Sequence, residues 1–336
     1  MACINIIIPA YNDYDLLPAA LGSVLSQTVR NRVHVTIVDD ASDDTEMADK
    51  IVKDFGNYLS VDVIYRDKNG GCGQARQTGI DACRDDYFMF LDCDDTLASP
   101  FALEALGDAA YSHNADMVTS QFAEEIPEEG RSESQSGAIY RGKGSVLRPH
   151  IRDCTWMHGK LYRTEFIQYH GIRFNESRSN EDSAFNTICY AYAGDVPYVE
   201  MCTYLWRYNS RSLTRREDWL GNTAGEFVRN STYALSELIK RRANRAYIAE
   251  NVYSYLCSFY GYAQIFHHQG RDPAYQEEYH SLIREWYHTI HAGDWIARVP
   301  EWKKAELYYA NDVLRQLREA KKLLTMTIEN FEAKIR

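Results

Sequence analysis

The sequence predicts an α/β chain: an open, mostly parallel central sheet followed by a helical C-terminal region. Three observations predict it. Over residues 4–122, apolar runs too continuous for half-exposed strands alternate with amphipathic segments. Polar and acidic residues gather where those runs end. From about residue 218 strand alternation disappears and helical spacing dominates, with frequent Tyr and His.

Each element follows from its pattern. "INIII" (4–8) is a strand, and "LLPAALGSVLSQ" (16–27) has helical spacing at Leu17, Leu21, Val24 and Leu25. "VHVTIV" (33–38) is a second strand, and "DTEMADKIVKDF" (44–55) a helix with acids in its first turn. "VDVIY" (61–65), the short helix "GQARQTGIDAC" (73–83) and the strand "YFMFL" (87–91) follow. A helix over 100–113 precedes the strand "DMVTSQF" (116–122). Strand and helix in turn imply right-handed βαβ units. The Glu-, Ser- and Gly-rich stretch 123–145 is expected to be a long loop, 180–194 a helix and 198–208 a strand. Residues 310, 313, 317, 320, 324, 328, 331 and 335 are apolar and spaced close to a heptad. That seam predicts a terminal helix packed on its own domain, or a homo-oligomer contact through 301–336. The expected division is a sheet-bearing domain at 1–217, with sub-regions 1–122 and 123–217, and a helical region at 218–336.

Composition bounds the function. The 336 residues are 45% hydrophobic and 25% charged, with a net charge of −11. That balance argues against a broad phosphate-binding face for nucleic acid, while a local groove stays compatible with it. The eight cysteines form no C-x-x-C pair. With no basic leader before the first strand, they are expected to be reduced thiols of a cytoplasmic protein. In that setting the sequons at Asn175 and Asn230 carry no meaning. No apolar run approaches the roughly 20 residues of a membrane span, so membrane contact would be peripheral.

In open parallel sheets, ligands bind beyond the carboxyl ends of the strands. The first strand exits into Pro9, Ala10, Tyr11, Asn12 and Asp13, and the second into Asp39 and Asp40. The third exits into "RDKNGGCGQAR" and the fourth into "DCDD". Three carboxylates, Asp92, Asp94 and Asp95, are thus crowded at one strand end; two of them ~5 Å apart repel by roughly 3 kcal/mol. Something positive is expected there. Gly71 and Gly73 imitate a dinucleotide fingerprint, but Arg76 occupies the third glycine's place. "GAIYRGKG" (137–144) imitates a P-loop but lacks the magnesium-binding hydroxyl. A sugar-nucleotide site fits better. Tyr11 can stack on a base, Asp40 can accept from its edge, and the turn at 69–76 supplies backbone donors and Arg76. Asp94 would hold a divalent cation, magnesium or manganese, against a diphosphate. Asp95 is expected to cap the turn at Thr96.

These residues bring a resemblance into view. "IIIPAYN" (6–12), "VDDASDD" (38–44), "NGGCGQARQTGI" (69–80) and "FLDCDD" (90–95) resemble the family 2 glycosyltransferases of the GT-A fold. "WMHGKLYRTEFI" (156–167), "NEDSAF" (180–185) and "LWRYNSRSLTR" (205–215) extend the likeness. The resemblance implies an inverting transfer from a nucleotide sugar, most simply a UDP-sugar. It places Pro9, Tyr11, Asp40, Asn69, Arg76, Asp92 and Cys93 on the donor and the metal on Asp94 and Asp92. Asp182 would be the general base, with Glu181 its neighbour. Gln77 departs from the family's usual Asn. Trp156, His158, Lys160, Arg207 and Arg211 are candidates for acceptor or phosphate contacts. The acceptor stays open among glycan, lipid-linked, polymeric and modified-DNA hydroxyls. A nucleotidyltransferase and a non-catalytic sugar-binding module are the alternatives.

Overall fold

The computed structural model describes residues 3–126, 131–135, 155–212, 218–319 and 328–336. Among the described residues nine strands form one sheet: β1 (Ile4–Ala10), β2 (Val33–Asp39), β3 (Ser60–Tyr65), β4 (Tyr87–Phe90), β5 (Thr96–Leu97), β6 (Met117–Ile126), β7 (Arg131–Gln135), β8 (Lys160–Arg163) and β9 (Tyr198–Trp206). Their order is β3-β2-β1-β4-β8-β6-β9-β5, with β7 also paired to β6. β1, β2, β3, β4, β6 and β9 run one way; β5, β7 and β8 run against them. The carboxyl ends of the expected parallel strands therefore share one rim.

Helices α1 (Leu17–Leu25), α2 (Glu46–Phe55), α3 (Cys72–Ala82) and α4 (Ala102–Ser112) cross over between the first strands. The central strands are buried on both faces because the period of two splits their side chains between two cores. Ile6 and Ile8 join Leu17, Leu21 and Leu106 on one face. Ile7, Phe88 and Phe90 join Ala75, Ile80 and Phe185 on the other.

α5 (Thr164–Tyr169) and α6 (Glu181–Tyr192) complete the sheet-bearing part; α7 (Trp219–Lys240) and α8 (Arg245–His268) begin the helical part. α9 (Pro273–Thr289), α10 (Ala292–Ile296), α11 (Glu301–Ala310), α12 (Asp312–Glu319) and α13 (Ile328–Ile335) follow. A strand-to-helix change does fall near 218, but one apolar core runs across it. Phe185, Ile188 and Cys189 of α6 belong to the same cluster as Ala224, Val228, Leu256 and Trp286. Tyr247 donates to the Thr187 carbonyl at 2.6 Å, and Tyr255 shares a hydrogen bond with the Thr187 hydroxyl at 3.0 Å.

Three expectations change. The loop begun at 123 is in part a hairpin, because β6 continues to Ile126 and pairs with β7. A sheet edge satisfies the backbone of polar residues that propensity alone would leave in a loop. The terminal heptad is broken at Asn311, between α11 and α12. Its described positions Val313, Leu317, Ile328, Phe331 and Ile335 are buried in the chain's own core, so that seam is not the surface a second copy would meet. Ala320, Leu324 and the stretch 137–144 lie outside the described residues. No helix among the described residues is long and apolar enough to cross a membrane.

Candidate active site

The site is built on the rim where β1, β2, β3 and β4 end. Tyr11, just past β1, is 45% exposed and free to stack on a flat ring, while Pro9 is buried in β1. The β1 and β2 exits are stitched together. Asn12 donates from its backbone to Ser42 Oγ and from its side chain to Asp43, and Asp43 N–H donates back to Asn12.

Asp40 is 3% exposed. Its carboxylate accepts from the backbone N–H of Gly70 at 3.0 Å and of Gly71 at 2.7 Å, and from Arg66. The expected partner was a base edge; the observed partners are the turn itself. Asp40 thus shapes the 69–71 turn that opens α3. Gly71 sits at φ +85°, which favours glycine, and a Cβ on Gly73 would stand 2.7 Å from Glu181 Cγ. The turn is glycine-rich so that α3 can approach the start of α6. Asn69 accepts from Arg178 at 2.9 Å. Gln77 also has a protein partner, accepting from the Phe174 N–H at 2.9 Å.

Arg76 joins the two acidic centres. Its Nη1 donates to Glu181 at 2.8 Å and its Nη2 to Asp92 at 2.6 Å. Burial raises the Asp92 carboxyl, but the Arg76 guanidinium outweighs it and leaves that group below the ordinary carboxylate value. Glu181 and Asp182 open α6, where a helix N-terminus favours acids. Asp182 accepts from the Ser183 N–H at 2.7 Å. Burial first, then the neighbouring Glu181, pushes Asp182 up to about 7, with Arg76 acting against both.

The other acids at the end of β4 divide their tasks. Asp94 accepts from Asn209 at 2.8 Å, and burial, then Asp92, raises its carboxyl. Cys93 between them is buried, and burial holds its thiol well above the usual range. Asp95 is not a cap for Thr96. It accepts from the Tyr204 hydroxyl at 2.5 Å and from the Arg207 N–H at 2.8 Å, which pins β9 and its exit to β4. Tyr204 lies 109 positions away, so nothing local in the sequence announces the pair. Tyr204, Asn209, Arg66 and Arg178 were all missed for that reason; their partners come from distant loops.

His158 is sandwiched between rings. It stacks on Tyr204 at 4.6 Å and on Trp156 at 5.7 Å, and Trp156 meets Trp206 at 5.5 Å. Burial holds the imidazole neutral, its pKa lowered to about 3, and its buried Nδ1 has no hydrogen-bond partner. Ligand atoms of Asp92, Asp95 and His158 lie within 4.8 Å of one another. An orphaned neutral imidazole beside crowded carboxylates fits a divalent cation that accepts oxygen and imidazole ligands. The structure thus groups Asp92 with Asp95 and His158, and turns Asp94 to Asn209. Lys160 is buried as the first residue of β8. Arg207 is partly exposed at the β9 exit, and Arg211 pairs with Asp15 at 3.0 Å and Asp13 at 3.3 Å, beside the Tyr11 loop. A cavity of about 540 Å³ opens at the other end of β4, lined by Arg84, Asp86, Tyr87, Asn114 and Arg163, and contains none of these residues.

The chain is 25% identical over 223 residues to the putative glycosyltransferase EpsH of Bacillus subtilis, covering 63% of each. It is 27% identical over 191 residues to TarP of Staphylococcus aureus, a poly(ribitol-phosphate) beta-N-acetylglucosaminyltransferase, covering 55% of this chain and 56% of TarP. The matches thus span less than two thirds of either relative's length. Among solved structures, S. aureus TarS 1–349 in complex with UDP superposes with a TM-score of 0.72 at 19% identity, over 99% of this chain and 90% of that one. TarS has also been solved with UDP-GlcNAc. Residues 5–171 match the family model described as Glycosyl transferase family 2. By its motifs, its GT-A sheet and these relatives, the chain belongs to glycosyl transferase family 2.

Proposed function

We propose that the chain transfers a glycosyl group from a UDP-sugar to an acceptor hydroxyl, with inversion at the anomeric carbon. The observation that carries this reading is the Glu181–Arg76–Asp92 bridge, which ties the acid pair opening α6 to the rim of strand ends. Asp182 beside that bridge is poised near neutrality, as a general base should be. It takes the proton of the acceptor hydroxyl while that oxygen bonds to C1. The bond from C1 to the diphosphate oxygen breaks, and its electron pair leaves with the nucleoside diphosphate. Glu181, held by Arg76, keeps the base's proton affinity high.

Tyr11 stacks on the base, with Pro9, Asn69 and Cys93 lining the donor side. Asp40 acts through the turn it shapes. Asp92, Asp95 and His158, the grouped donors, would hold Mn²⁺ or Mg²⁺, with Asp94 adjoining them. When bound, the cation neutralises charge on the departing diphosphate. Trp156 and Arg207 face the acceptor side, whereas Lys160 is buried and Arg211 is ion-paired beside the Tyr11 loop. The poly(ribitol-phosphate) on which TarP acts supports a polyol-phosphate polymer or a related glycan here. Its beta product supports inversion, since UDP-sugars carry an alpha linkage.

The test is Asp182→Asn. UDP release from UDP-GlcNAc should fall by about 10²–10⁴-fold. UDP binding by calorimetry should stay within about twofold, and the wild-type rate should rise through an acid limb near the Asp182 value of about 7. Full turnover by Asp182→Asn would remove the general base from this site.

A further inference from the structure

We propose that Asn230, on the first long helix of the C-terminal region, is a positioning residue for the base pair Glu181–Asp182. The inference rests on the function proposed above and assigns a catalytic purpose to helices that carry no motif. Asn230 is 1% exposed and has every polar group used. Its Nδ2 donates to Ser177 Oγ at 2.9 Å and to the Ser179 carbonyl at 2.7 Å. Its Oδ1 accepts from Asn175 Nδ2 at 2.7 Å. One turn earlier, Glu226 Oε2 lies 2.9 Å from Ser177 Oγ; a turn before that, the Thr223 carbonyl accepts from Asn180 at 3.3 Å.

Residues 223, 226 and 230 stand on one face of α7, as the helical repeat requires. Each reaches the segment 175–180, which runs directly into Glu181. That segment has no regular structure, and it ends at Asn180 with φ +57°, a conformation Asn tolerates better than most residues. Without α7 the segment would lose four side-chain anchors just before the base. The two asparagines that look like glycosylation acceptors are thus bonded to one another, as the two ends of this brace. Only an amide meets the demand at 230, since two donors and one acceptor are needed. Asn175 Oδ1 has no partner of its own, so the brace leans on Asn230.

The experiment measures UDP release from UDP-GlcNAc, UDP affinity and thermal stability for wild type, Asn230→Asp and Ser177→Ala in the full chain. Asn230→Asp keeps the shape and loses both donors; Ser177→Ala keeps α7 intact and cuts the brace from the loop side. We expect kcat to fall about 10–100-fold, as a misplacement of about 1 Å does, with UDP affinity within about twofold. The acid limb should also move down toward the ordinary carboxylate range, because a loosened Asp182 meets water. The charged groups around it, Glu181 on its own helix, Arg76 from α3, Asp92 from the β4 exit and the Tyr162 phenol from β8, remain in place. If Asn230→Asp fails to fold, Ser177→Ala alone decides. The brace is overturned if folded variants keep wild-type kcat and acid limb while Asp182→Asn has lost turnover. It is also overturned if kcat, affinity and melting fall together, which marks mere instability. Turnover retained by Asp182→Asn instead removes the proposed function and leaves the brace without a base to hold.

Discussion

At the end of β2, Asp40 is neutralised from inside the protein. Arg66 and two backbone N–H groups fill its carboxylate, and it is buried among them. At the end of β4, Arg76 pairs with Asp92 and also serves Glu181, while Asp94 accepts from Asn209 and Asp95 from the Tyr204 hydroxyl and the Arg207 N–H. Burial raises Asp94 and Asp95, and each acid raises the next. Two strand exits on one rim, with β1 between them, thus carry the same residue type in different electrostatic settings. The difference teaches that an acidic cluster is read by what neutralises it. Asp40 is filled by protein partners, and the β4 cluster is where the proposed cation would sit.

Removing Asp40 should therefore cost stability first. Asp40→Ala leaves Arg66 and the Gly70 and Gly71 N–H groups without their acceptor. Breaking a buried pair from one side costs about 3–5 kcal/mol; Arg66 keeps some access to water, which favours the lower end. Urea unfolding would measure it. A loss below about 1 kcal/mol would mean that the turn holds itself, and the contrast between the two clusters would collapse.

The next effect is specific to the β4 cluster. Mn²⁺ or Mg²⁺ at a hundred times its dissociation constant should stabilise the protein by about 2.7 kcal/mol. The melting temperature should rise by several degrees in wild type and in Asp40→Asn, and not in Asp92→Asn. An equal rise in Asp92→Asn would place the cation elsewhere.

Legibility in the sequence follows the same division. β1 to β4 were readable because continuous apolar runs ended in polar exits, and each exit residue lies next to its strand. The Glu181–Asp182 pair was readable as an acid pair opening a helix. What escaped was whatever depends on partners far along the chain. Tyr204 reaches Asp95, Asn209 reaches Asp94 and Asn230 reaches the 175–180 segment, over separations no local pattern encodes. Asp40 was visible as a candidate, but not that its oxygens would be taken by the turn. The hairpin of β6 and β7 was missed because pairing at a sheet edge, not composition, makes it a strand.

The smallest effect sharpens the comparison most, because its sign differs. Asp94 has a carboxyl raised above its ordinary value of 3.8, first by burial and then by Asp92. A group raised on folding contributes most below its unfolded pKa, and that contribution is lost as pH rises through the folded value. Above that value the ionised Asp94 opposes folding when no cation is bound. Asp94→Asn should then be neutral near pH 3 and more stable than wild type at pH 8 in chelator. The Asn209 side chain can turn its amide to keep a hydrogen bond, so little is lost in exchange. Asp40→Asn must go the other way at pH 8, since an amide cannot replace a charge facing Arg66. Denaturant midpoints for both variants at the two pH values, in chelator, would decide. If both variants lose stability at pH 8, the β4 cluster is as fully neutralised as Asp40, and no unmet positive charge is needed at that rim.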